Sequence, residues 1–443
     1  MSPIKPLKES SRRERASERR SRGVGRLYES TDAHAIPPQP SRHSATHSSS
    51  KGVLQRPADD LGLLLERAEE LLRDYRFGAV REWKEKTGGL AVGYMPIYVP
   101  REIFHAQGVL PVGVMGGGDD LEIIRGDAYY QSYICHIPRS TIEMGLNGGL
   151  DPLDGMIFPA ICDVIRNLSG MWKILFPDKL VRYLDVPQDF DPDRGGAFYR
   201  TELLELSREL QERGARPLDM EALRRSIELY NENRRRVHHL YELRREEPWK
   251  VPTHELYLVL RAGLVLPVEE HSEMLDRYLA AVLADEERRP MDQARVVLTG
   301  SFCEQPPLGL IKTLERSGCY IVDDDFVQVL RWIRHDIPTD GDPLDRLVQA
   351  FLEDTLDSPT RYVEGAEKGG ELVERVRASG AEGVIFCAPS FCDPALLDQP
   401  MAVAAVEAAG IPWTGFKYSE NTGQFQVIRE QAGTFADSIK LWC

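Results

Sequence analysis

No run of roughly 20 apolar residues, the length a membrane-spanning helix needs, occurs anywhere in the 443 residues. No apolar stretch follows the N-terminus, so no secretion signal is expected. Cysteine is scarce, at seven: Cys135, Cys162, Cys303, Cys319, Cys387, Cys392 and Cys443. The odd count argues against a disulfide framework and for a reducing cytoplasm. No C-x-x-C occurs, which excludes a zinc ribbon or a ferredoxin-type run. The nucleotide fingerprints G-x-G-x-x-G and G-x-x-x-x-G-K-[ST] are missing, and so is the G-x-S-x-G elbow of hydrolases.

Positive charge is short overall and unevenly placed. The net charge is −15, yet residues 1–57 hold 12 Lys+Arg against 5 Asp+Glu, a net of +7 that leaves −22 on the other 386 residues. An acidic body argues against nucleic-acid binding. The head, with SRRERASERRSRG and SRHSATHSSSKG, is rich in Ser and Arg and poor in apolar side chains. It is expected to be a disordered basic extension.

What is present divides by periodicity. The length suggests two or three domains. An amphipathic helix is expected over DDLGLLLERAEELLRDYRFGAVREWKEKTG, from Asp59. A strand to Met95, a helix opening at Pro100 and the strand GVLPVGVMG follow, which suggests a parallel sheet. Residues 58–194 therefore read as one α/β unit. Residues 195–290 are charged and helically periodic, and 291–443 read as a second α/β unit, beginning at ARVVLTGSF. VMGGGDD is expected to be a tight turn after a buried strand. The acids Asp323, Asp324 and Asp325 could bind a divalent cation, but three adjacent carboxylates cannot all face one point, and a solvated strand end or helix cap is at least as strong a reading.

Two stretches echo each other. DGMIFPAICDVIRN (154–167) and EGVIFCAPSFCDP (382–394) each run Gly, apolar strand, break with Pro, then Cys-Asp. Each reads as a strand delivering a cysteine to a helix start. Cys135, in YICHIPRS, has a similar setting. In open α/β sheets ligands bind at that edge, and helix N-termini favour anionic groups and depress thiol pKa values. Cysteines 27 and 230 residues apart match no familiar metal spacing, so packing thiols and shared ligands both stay open. Cys319 reads as a buried packing thiol. His136 could be a proton donor or a support for a ligand.

The blocks GYMPIYVPREIFHAQGVLPVGVMGGGDDLEIIRGDAYYQSYICHIPRS, GMIFPAICDVIRNLSGMW, LTGSFCEQPPLGLIKTLERSGCYIVDDDF and FCDPALLDQPM resemble the family of 2-hydroxyacyl-CoA dehydratase and benzoyl-CoA reductase subunits. They look most like the larger cluster-bearing, non-ATPase subunits of ATP-dependent benzoyl-CoA reductases. The resemblance runs from about residue 88 to the C-terminus. It implies an α/β fold of two flavodoxin-like parallel-sheet units with a helical insertion between them. It implies a [4Fe–4S] cluster on Cys135, Cys162 and Cys392, with Cys303 as rival and Cys387 as a weaker one. It implies a sibling cluster-bearing subunit, two ATPase subunits with a bridging cluster, reduced ferredoxin as electron source, and an aryl-CoA substrate. Electrons would pass to the aromatic ring and give a cyclohexadiene carboxyl-CoA. The same resemblance leaves two alternatives: a 2-hydroxyacyl-CoA dehydratase subunit acting through a ketyl radical, or a non-catalytic subunit that relays electrons.

Overall fold

The computed structural model describes residues 57–118, 121–131, 133–361, 368–419 and 425–442. The expected basic extension therefore lies outside the described residues, apart from Pro57. The described residues cluster as one compact unit.

Among the described residues, eight strands form two parallel sheets. The first holds β1 (Leu90–Tyr94), β2 (Val109–Gly113), β3 (Gly155–Pro159) and β4 (Leu180–Leu184), in the order β2-β1-β3-β4. The second holds β5 (Ala294–Thr299), β6 (Cys319–Asp324), β7 (Gly383–Pro389) and β8 (Trp413–Tyr418), in the order β6-β5-β7-β8. The two orders are the same, and all pairings are parallel. An α/β fold with two flavodoxin-like units is thus borne out. Strand β4, which periodicity did not single out, alternates buried and half-buried residues. Its Arg182 is buried against Glu202 (2.8 Å) and Glu209 (2.6 Å) of the helix Ala197–Glu212.

The echoed glycines have a steric cause. A side chain at Gly155 would bring its Cβ to 2.6 Å from Leu180 Cβ and 2.8 Å from Leu180 O on β4. At Gly383 the Cβ would meet Ile439 and Phe435, each at 2.8 Å. Gly155→Ala should push β3 off β4 and cost about 1–3 kcal/mol. A urea unfolding midpoint unchanged from wild type would refute that packing argument.

The first long helix departs from expectation. It divides into Pro57–Arg73 and Gly78–Thr87. Between them the Asp74 carboxylate accepts from the N–H groups of Arg76 and Gly78, and Phe77 takes the left-handed conformation (φ 52°). A side chain that caps the second helix is a local alternative that apolar periodicity does not register.

Four helices, Ala197–Glu212, Met220–Glu246, Thr253–Ala262 and Val268–Ala284, fill the middle of the chain. Asp219 starts the longest by accepting from Ala222 N (2.8 Å). This helix reaches both sheet units. Arg234 meets Glu102 at 3.0 Å beside the first sheet, and Arg244 meets Asp324 at 2.7 Å at the end of β6.

His271 is buried in this layer. Its Nδ1 lies 3.0 Å from Asn233 Nδ2 and its Nε2 lies 3.2 Å from Val259 O. Burial, with a smaller push from Arg101, lowers its pKa to about 3. The unfolded ring takes a proton near pH 6.5 while the folded ring resists, so stability is present above that pH and falls as pH drops toward 3. His271→Gln should flatten the slope of unfolding free energy between pH 6 and 4, measured by denaturant titration.

Candidate functional site

Three cysteines cap three helices. Cys135 precedes His136–Leu146, Cys162 precedes Asp163–Leu175, and Cys392 precedes Asp393–Ala408. In the last two the following Asp stands in the first turn, where the helix dipole favours a carboxylate. Pro394 fits because the first-turn N–H groups have no intrahelical partner. Cys303 arrives differently, in the loop after β5.

These four thiols line one cavity of about 560 Å³. Its position follows from topology. In each sheet the chain steps outward from one central strand and returns beside it, so the connections diverge between β1 and β3 and between β5 and β7. Such a divergence opens a crevice at the carboxyl ends of the strands. Met95 and Pro96 follow β1, and Ile161 and Cys162 follow β3. Cys303 and Glu304 follow β5, and Phe391 and Cys392 follow β7. All eight line the same cavity, so the two crevices open into one another.

The remaining thiols stand apart. Cys387 is buried within β7 and does not line this cavity. Cys319 is fully buried at the head of β6, the opposite end of the sheet, as a packing thiol should be. Cys443 lies outside the described residues. The His136 ring is buried and does not line the cavity, but its main-chain N–H donates to Glu304 Oε2 (3.2 Å).

Glu304 was missed from sequence, although it adjoins Cys303. It is buried, and its carbonyl accepts from the Tyr418 hydroxyl. Lys368 and Asp398 were missed too. They pair at 2.8 Å on the cavity wall. Neither carries a motif, and a separation of 30 residues conceals the pairing.

The loop bearing Cys303 is pinned from several sides. Asp325 accepts from Gly300 N (2.6 Å) and Ser301 N (3.1 Å). Ser301 Oγ donates to Cys387 O (2.7 Å), and Gln305 Nε2 donates to Ser301 O (3.0 Å). At Gly300 (φ 108°) a Cβ would lie 3.0 Å from Cys387 O. The acids 323–325 are thus not solvated, contrary to expectation. Asp323 and Asp324 are almost wholly buried among Arg244, Arg245, Arg331 and Arg375. Four guanidinium groups from other elements supply the charge that allows this burial.

Helix N-termini do not make these thiols acidic. Burial dominates and raises all four, Cys392 to about 12. Main-chain N–H groups of Val164 and Ile165 oppose the shift at Cys162, as does that of Ala395 at Cys392. Nearby Glu304 raises Cys135, and the other three sulfurs raise Cys303. Deprotonating such a set calls for a strongly cationic partner at the sulfurs.

Among the described residues, no three His, Cys, Asp or Glu side chains are close enough to share a single metal ion. A cubane makes a different demand. It spreads its thiolates over separate irons, with sulfurs roughly 6–7 Å apart for metal–sulfur bonds of about 2.3 Å. Four soft thiols around a cavity of this size suit such a group by donor chemistry.

Comparison with known proteins shows the family of this chain. The chain is 57% identical to a benzoyl-CoA reductase subunit of Thauera aromatica over 381 residues, 86% of this chain and 98% of that protein. It is 30% identical to the beta subunit of (R)-2-hydroxyglutaryl-CoA dehydratase of Acidaminococcus fermentans, over 80% of this chain and 93% of that one. It is 28% identical to the (R)-phenyllactyl-CoA dehydratase beta subunit of Clostridium sporogenes, with the same coverage. The family described as 2-hydroxyglutaryl-CoA dehydratase, D-component, matches residues 96–439. The resemblance carried by the motifs is therefore borne out: this chain belongs to the 2-hydroxyglutaryl-CoA dehydratase D-component family.

Proposed function

We propose that this chain is an iron–sulfur subunit of an ATP-dependent benzoyl-CoA reductase. The observation that carries the reading is the 57% identity along nearly the whole reductase subunit, against 28–30% to the dehydratase subunits. Cys135, Cys162 and Cys392 would hold a [4Fe–4S] cluster, with Cys303 the contender for one place. When bound, the cluster supplies single electrons at low potential to the thioester-activated ring.

The chain's own residues set the conditions. Glu304, Asp163 and Asp393 surround the thiols with negative charge. Added negative charge is disfavoured there, which supports a low reduction potential. Ile161, Ile165 and Leu397 give the cavity apolar wall that excludes water from a flat ring. The partners of this reading are a sibling cluster-bearing subunit and two ATPase subunits fed by ferredoxin. The site of action is the cytoplasm, and the product is a cyclohexadiene carboxyl-CoA after two electrons and two protons.

The test is anaerobic co-production of the chain with its partner subunits, followed by iron and sulfide analysis, EPR, and ATP-dependent turnover of benzoyl-CoA. Formation of the diene supports the reading. Elimination of water from a 2-hydroxyacyl-CoA, with benzoyl-CoA untouched, would overturn it in favour of the dehydratase.

A further inference from the structure

A second, smaller cavity of about 80 Å³ abuts the cysteine cavity, and both are lined by Pro359, Lys368 and Asp398. Its other walls include Asp325, Asp357, Glu371 and Arg375. Most of these charges are engaged. Glu371 accepts from Arg334 and from Asp357 N (3.0 Å), Arg375 holds Asp323 at 2.9 Å, and Asp325 accepts from the Gly300 and Ser301 N–H groups. The Asp357 carboxylate differs. Among the described residues it has no ion pair or hydrogen bond of its own, although it is half-buried. The Lys368–Asp398 pair stands between the two cavities.

We propose that the smaller cavity is the proton entrance of the site, with Asp357 taking protons from solvent and passing them through water to the Lys368–Asp398 pair. The inference rests on the reductase reading above. Each ring reduced consumes two electrons and two protons. A proton bound at the Asp357 carboxyl moves to a neighbouring water and on to Asp398 at the wall of the cysteine cavity. Asp398 gives that proton up to the reduced ring in the cysteine cavity and returns to a carboxylate, while Asp357 is reprotonated from solvent, so the relay returns to its starting state. A cavity of this size holds several waters, and its polar walls give them partners. Burial and the charge of Glu371 raise Asp357, opposed by Arg334, Arg361 and Lys368, which face it from the surrounding elements. A carboxyl that holds its proton more readily is better suited to relay at neutral pH.

The experiment uses the assembled complex carrying Asp357→Asn. Iron content, the EPR signal and the KM for benzoyl-CoA should match wild type. The kcat should fall by at least about tenfold, as for loss of a positioned acid–base group. The solvent deuterium isotope effect should rise, and added formate, small enough for the cavity, should restore the rate. Asp357→Ser, which leaves more room for formate, should show the same loss and rescue if the Asn variant assembles poorly. Unchanged kcat and isotope effect, or a loss that formate does not repair, overturns the relay. A wild-type complex that cannot reduce benzoyl-CoA would instead refute the reductase reading, so the two failures are distinct.

Discussion

Replacing Cys162 or Cys392 with Ala should leave the purified chain almost without iron and abolish ring reduction. Both thiols sit at corresponding places in the two sheets, after β3 and β7, and both face the shared cavity. A cluster held by three protein thiolates has no ligand to spare. Cys135→Ala should behave the same way. Cys319→Ala is the control. That thiol lies at the far end of β6, so its loss should cost on the order of 1 kcal/mol of packing and no iron. Cys303→Ala decides the ligand set, because Cys303 lines the same cavity. Iron lost from the Cys303 variant but kept by the Cys135 variant would exchange the two. Full iron in all four variants would overturn the cluster assignment.

Asp324→Ala should be the most destabilising single change in the second sheet unit. Asp324 accepts from Arg244 (2.7 Å), from the Tyr241 hydroxyl (2.7 Å) and from Phe326 N (2.8 Å). Both Asp324 and Arg244 are only 1% exposed. Removing the acid strands a buried guanidinium, which costs about 3–5 kcal/mol. The double variant Asp324→Leu, Arg244→Met removes both charges and should recover much of the loss. Equilibrium urea unfolding checks both. A loss under about 1 kcal/mol for Asp324→Ala would show that the network is dispensable.

Local sequence determined much of this protein. Helix Leu308–Arg316 and strands β5 to β8 follow from apolar runs bounded by Gly and Pro. The Cys-Asp pairs at 162–163 and 392–393 marked helix starts, because capping is a short-range property read within a few residues. Family motifs identified the relatives for the same reason: they are contiguous strings.

Tertiary structure decided the rest. It set Cys303 and Glu304 beside cysteines up to 169 residues away in sequence. It joined Lys368 to Asp398, and it buried Asp323 and Asp324 beneath arginines from a helix begun about a hundred residues earlier. It also reversed the sense of the thiol pKa shifts, since helix ends are legible in sequence but desolvation is not. The reason is common to all of these. Charge pairing and burial depend on which distant segments the two sheets bring together, and no local period encodes that encounter.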